Sequence, residues 1–216
     1  MIKNLGEQNS VFNQYIAEIR DIVIQRDPWR FRKNMERLGA IFGYEISRQL
    51  EYIPKEIITP LGSTEVNVLK SLPVLATILR AGLPLHQGLL NAFDRSENAF
   101  VSAYRKHSKD GGFKIQVEYV SGPELTNRIL ILSDPMLATG ASLELSYKAL
   151  MSKGKPRHTH IVTLIASTQG VDYMQRHLPM KDITLWVGAI DDELTAQAYI
   201  VPGLGDAGDL AFGSKL

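Results

Sequence analysis

The chain has 216 residues, 44% hydrophobic and 22% charged, with 24 basic and 23 acidic side chains and a net charge of +1. That size suits one domain spanning 1–216, since domains run to roughly 100–200 residues, and near-neutral charge argues against a broad nucleic-acid footprint. Absent cysteine excludes a disulfide framework and a thiolate nucleophile; with no apolar run of membrane-spanning length and no signal-peptide pattern, the cytoplasm is the expected setting.

Residues 10–26 place Val11, Tyr15, Ile19, Ile22 and Val23 at helical spacing. Asp27-Pro28 breaks that helix and opens another, with Pro28 at the first helical position. The second helix carries Phe31, Met35, Leu38, Phe42 and Ile46 and runs to about residue 50. These helices form an N-terminal layer over about 10–50, able to pack on a sheet or to make a dimer contact. Residues 54–71, punctuated by Pro54, Pro60 and Gly62, read as irregular, with 56–60 as a short edge strand.

Pro73-Val74-Leu75-Ala76-Thr77-Ile78-Leu79 reads as a buried strand, followed by Arg80-Ala81-Gly82 and an apolar helix over 83–93. A further strand runs from Asn98 to Tyr104 and ends in Arg105-Lys106. After Gly111-Gly112, the alternating run Phe113-Lys114-Ile115-Gln116-Val117-Glu118-Tyr119-Val120 reads as a strand of a hairpin.

Ile129-Leu130-Ile131-Leu132 then opens a strand whose carboxyl end bears Asp134. Pro135, Met136, Leu137, Ala138, Thr139, Gly140, Ala141 and Ser142 lead into a helix marked by Leu143, Tyr147, Leu150 and Met151, with Gly154 as its stop. Small residues at a helix start let an anion reach the free first-turn N–H groups, and Thr139 and Ser142 add hydroxyl donors. A carboxylate offers phosphate no donor, so Asp134 is assigned to sugar hydroxyls, a metal, or both.

Lys153, Lys155, Arg157, His158 and His160 cluster near a loop, the composition of a solvated face. Residues 161–166 form another buried strand, Ser167-Thr168-Gln169-Gly170 sit on the rim with Asp134, a helix covers 170–178, and 183–187 is the last strand. The tail Tyr199-Ile200-Val201-Pro202-Gly203-Leu204-Gly205-Asp206-Ala207-Gly208-Asp209 places three glycines in six residues. Such a segment can set main-chain N–H and C=O groups against a flat ligand.

Residues 78–82, 134–142 and the tail together resemble the uracil phosphoribosyltransferase branch of the type I phosphoribosyltransferases, over roughly 70–216. The resemblance implies an α/β fold: a mostly parallel sheet flanked by helices, with a core over about 70–190, a C-terminal hood over about 191–213 and a flexible β-hairpin tipped by Gly111-Gly112. It implies transfer of the phosphoribosyl group from phosphoribosyl pyrophosphate (PRPP) to uracil, giving UMP and pyrophosphate. In that reading residues 137–142 grip the 5′-phosphate, Asp134 holds the ribose, and Arg80 and Arg105 hold pyrophosphate. Ile200, Gly205, Asp206 and Ala207 hold uracil largely through the backbone; Asp206 also faces PRPP and is the candidate base for the uracil N1 proton. Mg2+ is held mainly through PRPP, without a protein metal cage. A homodimer or larger homo-oligomer is expected, with no nucleic-acid or membrane partner. Thr195, Ala198, Leu210 and Ala141 depart from the family pattern. Three alternatives stand at this point: a pyrimidine-responsive RNA-binding regulator, a catalytically silent homologue, and a purine-specific transferase.

Overall fold

The structure is a computed structural model that describes residues 1–107 and 113–214, with side chains throughout except over 103–117. In chain order the elements are β1 (Ile2–Asn4), α1 (Val11–Arg20), α2 (Pro28–Ser47), β2 (Tyr52–Thr59), β3 (Gly62–Leu69), β4 (Val74–Leu79), α3 (Leu83–Ala92), β5 (Asn98–His107), β6 (Phe113–Ser121), β7 (Ile129–Ser133) and β8 (Met136–Leu137). They continue with α4 (Ala141–Leu150), β9 (His158–Ser167), α5 (Thr168–His177), β10 (Ile183–Asp191), β11 (Glu193–Leu194), β12 (Ile200–Val201) and α6 (Ala207–Phe212).

The main sheet runs β1-β10-β9-β7-β4-β5-β6, with β8 paired to β9, and among the described pairs of this sheet only β5–β6 is antiparallel. Side chains alternate across it. Leu75, Ile131, Val162, Leu164 and Trp186 face α1, α2 and α3, whereas Val74, Leu130, Leu132, Ile161 and Leu185 face α4 and α5. Apolar residues on both faces explain why these strands read as near-continuous apolar runs.

The N-terminal layer therefore packs on the sheet. Asp27 accepts from the Trp29 and Arg30 N–H groups, at 2.9 and 3.2 Å, and Pro28 takes the first turn of α2. Phe31, Met35, Leu38, Phe42 and Ile46 are all buried. Glu18 ties the two helices together, accepting from Arg30 Nε and Nη2 and from Asn34 Nδ2 at 2.6–2.9 Å. Those bonds, Arg30 first, hold its carboxyl down to about 2.

Three expectations change. The first helix stops at Arg20, because Asp21 turns the chain by accepting from the Val23 and Ile24 N–H groups at 2.8 and 2.9 Å. Its inward stripe is Phe12, Ile16 and Ile19, leaving Val11, Ile22 and Val23 exposed. The supposedly irregular segment 54–71 is instead most of a hairpin, β2 with β3, in register from Tyr52↔Leu69 to Thr59↔Gly62. Pro54 fits because a two-stranded ribbon has only edges. The short strand β1, paired with β10, carries no sequence signal of its own.

Candidate active site

The strand order reverses between β4 and β7. From β4 the chain crosses to β5 on one side, and later to β7, β9 and β10 on the other. Beyond the carboxyl ends of strands at such a reversal lies the crevice where open α/β sheets take ligands. The loop Arg80-Ala81-Gly82 leaves β4 there and the Asp134 loop leaves β7. The two strand ends are locked by Thr77 Oγ1 donating to the Ser133 carbonyl at 3.2 Å and Ser133 Oγ donating to the Ala76 carbonyl at 3.1 Å.

The first half of the Asp134 loop is stitched to β9. Asp134 N–H donates to the Val162 carbonyl at 3.0 Å, and the Pro135 carbonyl accepts from the Leu164 and Ile165 N–H groups at 3.1 Å each. Met136 and Leu137 then pair with Ile165 and Ala166 as β8, a strand segment inside what the sequence reads as a loop. Asp134 keeps only part of its surface open. Burial pushes its carboxyl up to about 7, although a Met136 backbone hydrogen bond favours the anion.

Gly140 takes φ +84, left-handed, and supplies the N-cap of α4 without a side-chain cap. Thr139 Oγ1 accepts from the Ala141 N–H only at a long 3.5 Å. This start of α4 is therefore open to an anion. Ala141 is the first helical residue and is not at positive φ, so it fits the turn without backbone strain.

Helix α5 supports the loop from behind. Ser167 Oγ donates to the Ala138 carbonyl at 2.6 Å and accepts from the Gly170 N–H at 2.8 Å. Two turns on, the Tyr173 ring lies against Gly140, its hydroxyl donates to Glu144 Oε2 at 2.5 Å, and the ring stacks on His177 at 3.9 Å between centroids. Lys148 pairs with Glu144 at 2.7 Å; Lys148 and Tyr173 hold the Glu144 carboxyl low. The sequence places Ser167 and Gly170 on this rim but offers no sign of Tyr173, whose role comes from packing between two helices.

The tail forms the expected hood and adds the short helix α6, hidden in sequence by its glycines. Asp206 caps it, accepting from the Asp209 N–H at 3.0 Å. Ile200 and Ala207 turn their side chains into the core, which leaves their backbones for a ligand, while Gly205 is exposed. Arg80 Nη2 reaches Asp209 at 3.4 Å and the Gly213 carbonyl at 3.2 Å, so the β4 loop and the hood meet. Arg80 thus joins the tail to the end of β4, which lies beside the end of β7 that carries the Asp134 loop. Arg105 lies on β5 with its side chain outside the described set, and Gly111 and Gly112 lie outside the described residues altogether.

Two family departures acquire structural content. Thr195 closes the β11–β12 connection, its Oγ1 accepting from the Tyr199 N–H at 3.1 Å. Ala198 takes φ +61, left-handed backbone that favours glycine. A left-handed Cβ costs about 1 kcal/mol, so Ala198→Gly is expected to raise stability in chemical denaturation by about 0.5–1 kcal/mol; a drop instead would show that this turn gains nothing from glycine. Leu210 lies on α6 and packs partly against the core.

The basic cluster does not form a single face. Arg157 pairs with Glu51 at 2.8 Å and Lys155 with Asp182 at 3.5 Å, while His160 is buried and accepts from Trp186 Nε1 at 3.1 Å. Burial lowers the His160 ring to about 3 and keeps it neutral. Among the described residues no group of three or more histidine, cysteine or carboxylate side chains can hold a metal. The separate carboxylates Asp134 and Asp206 fit a hard cation that keeps water and takes its other ligands from a phosphate-bearing substrate. No helix among the described residues is long and apolar enough to cross a membrane.

The architecture is that of the type I phosphoribosyltransferases. An orotate phosphoribosyltransferase from Mycobacterium tuberculosis shares it at a TM-score of 0.50 and 12% identity, over 85% of this chain and 90% of that one, a likeness of fold alone. The structure of AQ2163 protein from Aquifex aeolicus matches at a TM-score of 0.86 and 28% identity, over 99% and 98%. Among curated relatives, the uracil phosphoribosyltransferase of Porphyromonas gingivalis is 53% identical over 213 residues, 99% of this chain and 98% of its own. That of Pyrococcus furiosus is 34% identical over 213 residues, 97% and 89%. The family model for uracil phosphoribosyltransferase spans residues 7–214, and the chain belongs to that family.

Proposed function

We propose that this protein transfers the 5-phosphoribosyl group from PRPP to uracil, releasing pyrophosphate and forming UMP. The observation that carries the reading is the strand reversal, where the loop that begins at Asp134, just past the end of β7, leads into the uncapped start of α4. N–H groups from residues 137–142, with the Thr139 and Ser142 hydroxyls, receive the 5′-phosphate. Asp134 accepts from the ribose hydroxyls, and its negative charge favours the cationic, oxocarbenium-like state at the anomeric carbon. Arg80 and Arg105 receive the diphosphate, with Arg80 exchanging Asp209 for that ligand.

The hood presents the main chain of Ile200, Gly205, Asp206 and Ala207 to uracil, aligning N1 with the anomeric carbon. Asp206 is assigned as the acceptor of the N1 proton. Mg2+ would be held mainly through PRPP, with Asp134 and Asp206 as the nearby carboxylates, and would supply charge neutralisation of the diphosphate. Incubation with PRPP, Mg2+ and uracil should yield UMP and pyrophosphate in equal amounts; folded protein that forms neither would refute the assignment.

The same reading places the protein in the cytoplasm and in a homodimer or larger homo-oligomer. The β2–β3 hairpin supports the assembly, since its tip exposes Ile58 at 86% and Leu61 at 100%. Light scattering on Ile58→Ser with Leu61→Ser is expected to show a smaller species than the wild type, and an unchanged mass would remove the hairpin from the interface.

A further inference from the structure

Asp191 ends β10, is 8% exposed, and is gripped by Arg20, the last residue of α1. Arg20 Nη1 meets Oδ2 and Nη2 meets Oδ1, both at 2.8 Å, a bidentate pair. The pair ends on the hood. Asp191 Oδ2 also accepts from the Gly203 N–H at 2.9 Å, and Arg20 Nη1 also donates to the Gly203 carbonyl at 3.0 Å. One ion pair thus binds both polar backbone groups of a single residue. That residue takes φ +55, and a Cβ there would collide with the Ile200 carbonyl, so the turn has no room to relax around a larger side chain.

Two further donors of the N-terminal layer act nearby. Gln25, with its amide oriented to satisfy both partners, donates to the Leu204 carbonyl at 2.9 Å, and Arg32 Nη1 donates to the Ala211 carbonyl at 2.6 Å. The hood is therefore held at Gly203 and Leu204 on one side of residues 205–207 and at Ala211 on the other. A buried ion pair is weak evidence for stability, because apolar replacements often serve as well. A pair whose remaining donor and acceptor both end on one glycine of the hood is better explained by placement.

We infer that Arg20 and Asp191 are positioning residues for the base, locking the turn at Gly203 so that the main-chain edge of the hood meets uracil in one register. The inference rests on the proposed assignment of the hood to uracil. The loop at the start of α4 is held through Ser167 and Tyr173 instead, so the pair acts first on the base and reaches PRPP only through the hood's Asp206.

The test is steady-state kinetics of Arg20→Met, Arg20→Lys and Asp191→Asn, varying uracil at saturating PRPP and then PRPP at saturating uracil, with thermal unfolding alongside. Arg20→Met is expected to raise KM for uracil about tenfold or more and to leave KM for PRPP within about twofold. Arg20→Lys, which keeps the cation but not the fork, is expected to fall between it and the wild type. A purely structural role would lower the unfolding temperature and turnover without separating the two KM values, and would overturn the inference. If Arg20→Met does not fold, Arg20→Lys decides: a selective rise in KM for uracil supports the role, and wild-type values for both substrates overturn it. A wild-type protein that makes no UMP refutes the uracil reading and the positioning role together, an outcome distinct from active wild type with unselective variants.

Discussion

Asp134→Asn is expected to lose activity and gain stability at alkaline pH. The carboxyl is held near 7 by burial, against an ordinary 3.8. A folded pKa raised above the unfolded one means that the favourable neutral form is fully populated below about pH 4. Its contribution is lost as pH rises toward and through 7. Above that the wild-type protein, measured without substrate, carries a poorly solvated charge that asparagine does not. Allowing for the part of Asp134 that stays open to solvent, the variant should be more stable by about 2 kcal/mol at pH 8.5, roughly 5 °C, with the difference vanishing near pH 4. Turnover should fall about 100-fold or more, because the amide can still meet ribose hydroxyls but no longer opposes a cationic transition state. Thermal unfolding at both pH values, beside turnover at pH 8.5, checks this. An asparagine variant less stable at pH 8.5 than the wild type, or fully active, would contradict the account of this residue.

Gly140→Ala is expected to damage both folding and substrate binding, despite adding one methyl group. At φ +84 a Cβ costs about 1–2 kcal/mol. The new atom would also stand 2.6 Å from Tyr173 Cδ1. That ring cannot swing away easily, since its hydroxyl is bonded to Glu144 and it is stacked on His177. Overpacking adds roughly 1–3 kcal/mol, for a total loss of about 2–5 kcal/mol. Relief by shifting the first turn of α4 would displace the N–H groups assigned to the 5′-phosphate, and KM for PRPP should rise about 100-fold. Denaturant unfolding and PRPP titration read the two effects separately. A variant with wild-type stability and PRPP affinity would remove the left-handed glycine from the explanation of the site.

Where sequence and structure agree, one physical cause recurs: burial on a regular period. The stripe Phe31, Met35, Leu38, Phe42 and Ile46 is legible because α2 lies along the sheet for its whole length. The strands around 74–79, 129–133, 161–166 and 183–187 are legible because both their faces are covered. The β2–β3 hairpin was not, since almost all its residues are exposed and no face is selected for apolar side chains. Helix α1 misleads because buried Glu18 satisfies Arg30 and Asn34 in the inward stripe while Val11 faces solvent.

The site divides in the same way. Gly140, Asp134 and the tail glycines sit in contiguous stretches whose chemistry a sequence displays. Arg20 acts on Asp191 across 171 positions of chain, Asp191 on Gly203 across 12, and Tyr173 on Glu144 across 29, between two helices. Nothing local marks them, apart from the acid at the end of β10, which repeats the pattern of Asp134 at the end of β7.

The most direct test of the central claim offers the purified protein PRPP and Mg2+ with uracil, hypoxanthine, guanine or adenine in turn, following nucleotide and pyrophosphate. The account predicts UMP from uracil and no purine nucleotide, because it assigns the backbone of Ile200, Gly205, Asp206 and Ala207 to the alternating carbonyl and N–H groups of a pyrimidine at close range. Purine nucleotide in place of UMP would preserve the phosphate cradle at Gly140 and contradict the reading of the hood.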